Sequence, residues 1–179
     1  MNISRIGLQI FLIAVFGIFP FRTIVSQNSV EGLLIAEAEK LSGDNFPFST
    51  KSPGGATVYA ASKIDFKMLS AIDKGLTDLF YIAKKQGFTS HLEFSDYTIF
   101  IAKSDRNTNS NGEYSPDIAV SAAQYAGSEY DQGGFIYAAG IIVANSPCAF
   151  MIAEHNKDFA RVSDVVRFEG GHLVLYHND

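Results

Sequence analysis

The segment from Asp65 to about Gln86 restricts the fold most, because it predicts one long amphipathic helix. Its apolar residues recur at the three- and four-residue spacing of a single helical face, and they are Leu69, Ile72, Leu76, Leu79 and Ala83. Asp65 is a suitable N-cap, and Gly87 is suited to the left-handed position that ends a helix. A helix of this length with one apolar face needs an apolar partner, so we expect it to pack against a β-sheet.

The strands of this sheet are predicted after the helix. Residues 97–102 form an apolar run rich in β-branched and aromatic side chains, which is typical of a central strand. Further strands are predicted over 118–125, 135–144 and 149–153. The sequence 131–134 contains two glycines and predicts a hairpin turn between the second and third of the four strands.

These elements together predict an α+β fold. A small, mostly antiparallel sheet is backed by the helix over about 65–86, and a C-terminal helix follows the strands. An additional helix is predicted over about 28–41, where Asn28 and Glu31 have the spacing of a capping box. The length is that of one domain, so we expect a single α+β domain over residues 27–179.

The first 26 residues have the pattern of a secretory signal peptide. Arg5 supplies a positive charge, residues 6–21 are almost entirely apolar, and a short polar segment follows. This apolar run is shorter than the roughly 20 residues that a membrane span needs. We therefore expect an exported protein, periplasmic or extracellular, without a stable membrane span once the signal is removed. An uncleaved N-terminal anchor is the alternative.

Charge and cysteine content argue against a nucleic-acid-binding protein and against a protein stabilised by intrachain disulfides. Residues 1–26 contain two of the 14 Lys and Arg and none of the 19 Asp and Glu, so their removal changes the formal charge from −5 to −7. An acidic domain is a poor partner for nucleic acid, which binds basic surfaces. Cys148 is the single cysteine, so no intrachain disulfide can form. Its apolar neighbours predict an inert, buried thiol.

Residues 158–179 carry the side chains with the most chemistry. Apolar residues recur there at helical spacing, and Glu169 occupies the position that completes their face. A carboxylate on a core-facing stripe costs free energy unless it is paired or bound. In a helix, His172 lies on the same side as Glu169. Gly170 and Gly171 leave an alternative open, in which the helix ends near Phe168 and residues 172–177 form a strand.

The sequence Phe168-Glu169-Gly170-Gly171-His172 resembles the HExxH helix of the zincin metallopeptidases. In that family two histidines one turn apart bind zinc, and the glutamate is the general base on the metal-bound water. The resemblance implies that Glu169 is the catalytic base, that His172 is a zinc ligand and that the substrate is a peptide or protein. Phe168 stands where the family has its first histidine.

Other ligands therefore have to complete a zinc site of this kind. His177 and His155 are of the right chemical type, and they are our candidates beside His172. A further ligand beyond Asp179 is an alternative. In a competing interpretation Glu169 and His172 form a structural pair that fastens the terminal element to the core.

Two classes of function remain open after these observations. One is an exported zincin-type peptidase, with or without surviving activity. The other is a non-enzymatic envelope or extracellular binding domain, whose contact is made by the Tyr- and Gly-rich loop over 124–134. A calcium loop over 105–113 is also considered, because oxygen-bearing side chains alternate there before Gly112. Neutral amides replace the usual aspartates, which favours a polar loop with an Asn-Gly turn.

Overall fold

A computed structural model describes residues 24–104, 115–121 and 135–179, and it confirms the α+β fold class. Helices and strands alternate irregularly along these ranges, with a short 3-10 turn before the third strand and another before the last helix. The elements are α1 (Ile24–Ser42), β1 (Phe48–Lys51), β2 (Thr57–Ala60), α2 (Phe66–Lys85), β3 (Tyr97–Ala102), β4 (Ile118–Ser121), β5 (Phe135–Ala138), β6 (Gly140–Ala144), β7 (Cys148–Ala153) and α3 (Phe159–Asn178).

Five of the strands form one mixed sheet in the order β1-β2-β3-β7-β6, and β4 pairs with β5 separately. The three central strands are parallel, whereas β1 and β6 run antiparallel to their neighbours at the two edges. This centre differs from the mostly antiparallel sheet that the sequence predicts. Parallel neighbours need a crossover connection, and α2 supplies one between β2 and β3. The predicted pairing of the strands that begin at Ile118 and Phe135 is confirmed as β4 with β5.

The strand predicted over 135–144 is divided at Ala139. Residues 135–138 pair with β4, whereas residues 140–144 pair with β7. At the division, a Cβ on Gly140 would lie 2.7 Å from Cγ of Glu169 on α3. Because real Cβ atoms do not approach so closely, a glycine here lets α3 lie directly against the sheet.

The long helix predicted from residue 65 is confirmed as α2. Asp65 caps it by accepting a hydrogen bond from the Lys67 backbone N–H at 2.8 Å. The helix packs with α3 on one face of the sheet, and a Cβ on Gly75 would lie 2.6 Å from the Ser163 carbonyl oxygen. Helix α1 lies on the opposite face, where Ala38 belongs to a second apolar core. The sheet is therefore covered on both faces.

The C-terminal segment is one continuous helix, α3, so the strand alternative over 172–177 is wrong. Asp158 caps it by accepting a hydrogen bond from the Arg161 backbone N–H at 3.1 Å. A Cβ on Gly170 would lie 2.7 Å from Cδ2 of Leu79 on α2. The helix therefore tolerates this glycine because close packing with α2 depends on it.

Several sequence predictions lie wholly or partly outside the described residues. They are the signal peptide as far as residue 23, the calcium-type loop over 105–113, residues 122–125 of the strand predicted over 118–125, and the Tyr- and Gly-rich loop over 124–134 with the hairpin turn at 131–134. The helix predicted over about 28–41 is observed as α1, which the structure describes from Ile24. Within the described ranges, no helix combines the length and the apolar character that crossing a membrane demands.

Candidate metal-binding site

Three ligand-type side chains from distant parts of the chain converge at one end of the sheet. His91 lies in the loop between α2 and β3, Cys148 is the first residue of β7, and His177 lies in the last turn of α3. Their ligand atoms all lie within 4.8 Å of one another. No second cluster of three His, Cys, Asp or Glu with this spacing exists in the part of the chain that the structure describes. The group can hold a metal ion.

The distances within the cluster suit a common metal ion. Sγ of Cys148 lies 3.5 Å from Nδ1 of His91, and the His91 and His177 rings have their centroids 3.8 Å apart. Tetrahedral zinc, with bonds of about 2.3 Å to sulfur and about 2.0–2.1 Å to nitrogen, places S and N ligands about 3.5 Å apart. The observed S–N separation therefore already matches two ligands of one ion.

His91 is held in an uncommon backbone conformation. Its φ is +55°, in the left-handed region, where residues other than glycine are uncommon although Asn, Asp and His are enriched there. The Tyr97 hydroxyl donates a hydrogen bond to the His91 carbonyl oxygen at 2.8 Å. Strained backbone persists where the surrounding contacts fix it, and such positions concentrate at functional sites.

Asn178 ties the end of α3 to the loop that carries His91. Its Oδ1 accepts hydrogen bonds from the backbone N–H groups of Thr89 at 3.1 Å and Ser90 at 3.0 Å. Its Nδ2 donates to the carbonyl oxygens of Ser90 at 3.1 Å and Val174 at 2.7 Å. The residue next to His177 thus fixes the distance between the two histidines.

The hydrogen bond of His177 leaves one of its ring nitrogens available. Nε2 lies 2.7 Å from the Asn145 carbonyl oxygen, in the turn between β6 and β7. A carbonyl oxygen only accepts, so Nε2 carries the proton and donates. In the neutral ring Nδ1 then keeps its lone pair. Metal-ligating histidines commonly use this arrangement, in which the second ring nitrogen donates to a carbonyl and orients the ring.

Cys148 is buried, as its apolar neighbours predict. Burial, assisted by the negative charge of Asp96, raises the pKa of its thiol to about 11. Without a metal the thiol is therefore protonated at neutral pH. A bound cation reverses this preference, because a coordinating thiol loses its proton.

The residues that the zincin resemblance singles out are placed differently. Glu169 lies inside α3 against Gly140 and is 7 % exposed, whereas His172 points to solvent with its ring centroid 4.7 Å from that of Phe168. Glu169 precedes His177 by eight residues, which is about 12 Å along a helix. Glu169 and His172 are therefore not part of the cluster that contains His177.

His155 is fully buried in the turn after β7 and has other partners. Arg161 donates from Nε to His155 Nδ1 at 3.2 Å, and the same guanidinium pairs with Asp117. Nε2 therefore carries the ring proton, and it has no hydrogen-bond partner within the described ranges. Burial, with the adjacent Arg161 charge, lowers the pKa of His155. Of the three histidines predicted as ligands, the structure brings only His177 into the cluster.

Sequence reasoning missed His91 and Cys148. Cys148 is the first residue of β7, and His91 lies six residues before Tyr97, the β3 residue that pairs with Cys148. His or Cys residues before two strands indicate a shared metal-binding site only when the strands are known to be parallel neighbours, because parallel strands begin at the same edge of a sheet. No local spacing in the sequence indicates that relationship.

Comparisons of this chain with protein-family models, with curated proteins and with solved structures give no match. Its function therefore rests on the geometry of the chain itself.

Proposed function

We propose that this chain is a zinc-binding domain and that His91, Cys148 and His177 hold the ion. The observation that carries the proposal is the convergence of three ligand atoms within 4.8 Å from three separate elements. Thiolate sulfur and imidazole nitrogen are the usual zinc ligands, whereas calcium and magnesium take oxygen ligands. The 3.5 Å separation of Sγ and Nδ1 supports an ion bound between Cys148 and His91.

The proposed site offers three protein ligands and leaves one position open. His91 and His177 are half-buried, so the cluster reaches the surface, and a solvent molecule is the natural fourth ligand. Three protein ligands with a water molecule in the fourth position are a known type of zinc coordination, and this cluster has the ligands for it. Copper also binds to two histidines and one cysteine, commonly with a weak axial ligand. The experiment therefore has to distinguish bound copper from bound zinc.

The proposal replaces the zincin-type assignment of residues. Glu169 cannot serve as base on a water at this ion, because about 12 Å of helix separates it from His177. Zinc at the cluster instead links the C-terminal end of α3 to the start of β7. An exported location, periplasmic or extracellular, remains part of the proposal on the strength of the N-terminal sequence.

The test is elemental analysis of the full chain, purified without chelator, beside variants of the cluster. We expect about one zinc per wild-type chain, as for one tetrahedral site, and far less in Cys148→Ser and His177→Gln. His172→Gln is the matched control, because His172 lies on the same helix but outside the cluster; it should keep the zinc. Copper in place of zinc, or unchanged zinc in Cys148→Ser, would overturn the proposal.

A second measurement guards against variants that fail to fold. Thermal unfolding of chelator-treated wild-type protein is followed with and without added zinc. A ligand at 100 times its Kd stabilises by about 2.7 kcal/mol, which raises Tm by roughly 5–10 °C for a chain of this size. A folded wild-type protein whose Tm does not respond to zinc would equally contradict the proposal.

A further inference from the structure

A groove of about 900 Å³ lies between α3 and the chain around the start of β6, away from the metal-binding cluster. Val165, Phe168 and Leu175 form its apolar side on α3, and residues 138–140 form the opposite side. Phe168 is 64 % exposed and Leu175 is 46 % exposed. Large apolar side chains exposed beside a concave surface are typical of a ligand site.

Glu169 lies within this groove, and its side chain is almost wholly buried. It is 7 % exposed and lines the groove, and a Cβ on Gly140 would lie 2.9 Å from its Oε1. It takes part in no ion pair among the residues that the structure covers. A buried carboxylate without a partner is costly, and burial accordingly raises its pKa to about 7.

The other charges of the groove are already neutralised. Arg161 is paired with Asp117, and Arg167 is paired with Asp164 at 2.9 Å. These guanidinium groups therefore pair with other carboxylates, and among the described residues Glu169 is the acidic group of the groove that lacks a cation. The site is complementary to a ligand that brings its own positive charge.

We infer that the groove binds a small organic cation, an amine or a guanidinium on a short apolar body, with its charged head on Glu169. The apolar body lies against Val165, which is one helical turn before Glu169 on α3. The exposed ring of Phe168 offers a π-face to the same cation. Gly140 is essential to this arrangement, because any larger side chain would occupy the space beside the carboxylate. This inference is independent of the proposed zinc site.

The test is calorimetric titration of the full chain with 4-phenylbutylamine and with the neutral 4-phenylbutanol at about pH 8, where Glu169 is ionised. We expect the amine to bind wild-type protein at least about tenfold more tightly than the alcohol, since a charge-assisted hydrogen bond contributes roughly 1.5–3 kcal/mol. In Glu169→Gln this preference for the amine should disappear. Thermal unfolding establishes that the variant is folded.

The control variant is Glu39→Gln, which makes the same chemical change on α1, on the opposite face of the sheet and outside the groove. It should retain the preference for the amine. Three results would overturn the inference: no binding of the amine to wild type, equal binding of amine and alcohol, or unchanged amine affinity in Glu169→Gln. A chelator-treated sample should bind the amine equally well, which separates this site from the zinc proposal.

Discussion

Sγ of Cys148 lies 3.5 Å from Nδ1 of His91, although the two residues are 57 positions apart. They meet because β7 runs parallel to β3 with Cys148 opposite Tyr97, so the loop before β3 and the start of β7 share one edge of the sheet. The backbone at this edge therefore places His91 and Cys148 close together without a bound metal. The third, His177, depends on where α3 ends.

Replacing Asn178 tests how that position is fixed. In Asn178→Asp the carboxylate still accepts from Thr89 and Ser90 N–H but cannot donate to the carbonyl oxygens of Ser90 and Val174. We expect a stability loss of about 1–3 kcal/mol in urea unfolding. Zinc affinity should fall about 10- to 100-fold, the range for residues that orient metal ligands. Asp179→Asn, at the exposed next residue, should change neither quantity.

The contact between α2 and α3 gives a second prediction. In Gly75→Ala the new Cβ would lie 2.6 Å from the Ser163 carbonyl oxygen and 2.8 Å from Cβ of Val166. Overpacking of this kind costs about 1–3 kcal/mol, so the free energy of unfolding should fall by that amount. The matched control is Gly32→Ala in α1, where a Cβ meets nothing within 4 Å. That variant should gain about 0.5–1 kcal/mol from helix propensity. Equal effects at the two positions would contradict the packing argument.

Glu169 predicts a pH dependence of stability. Folding raises its pKa from 4.5 to about 7 because of burial, so the unfolded chain loses this proton first as pH rises. Stability is therefore lost between pH 4.5 and about 7, by about 3 kcal/mol at most. In Glu169→Gln this loss should be absent, so the variant should be as stable as wild type in acid and more stable in mild alkali. Arg161, Asp164 and His172, which line the same groove, are common to both proteins.

Measurement of this effect requires chelator throughout, because bound metal would add its own pH dependence. Urea unfolding of both proteins at half-unit pH steps gives the difference directly. A constant difference in stability across the range would mean that the Glu169 carboxyl titrates normally in the folded protein.

His155 predicts the opposite slope. Burial and the charge of Arg161 lower its pKa in the folded protein, while the negative charges of Asp117 and Asp158 oppose the shift. Below about pH 6.5 the unfolded chain binds a proton at His155 that the folded chain does not yet bind, so the free energy of unfolding falls in acid. His155→Asn preserves tolerance for the left-handed backbone at φ +48°. Measured in the Glu169→Gln background, it should flatten the acid slope even if overall stability falls.

Local signals account for what the sequence predicts correctly. Helix α2 is observed within one residue of its predicted ends, because one apolar stripe and one capping aspartate determine it. Helix α3 is predicted although Gly170 lies within it. This glycine is explained by tertiary packing, because it leaves room for the Leu79 side chain of α2. Strand β1 was not predicted, because all four of its residues are exposed and no apolar alternation marks it.

The candidate site was predictable only in part, for a related reason. His177 is recognisable as a ligand type, but its partners are set by strand order, which no local pattern of residues encodes. Glu169 stands out correctly as a carboxylate on a buried face. The sequence alone cannot show that the Glu169 carboxylate lines the groove and does not belong to the metal-binding cluster.

The place of β7 in the sheet has a consequence for the order in which the chain can fold during synthesis. This strand separates β3 from β6, yet it follows both in sequence. Until residue 153 has left the ribosome, one edge of β3 exposes unpaired backbone groups, although five of the six residues of this strand are buried in the finished protein. Such an edge pairs readily with other chains. A nascent chain stalled before this point would be the species most prone to aggregation.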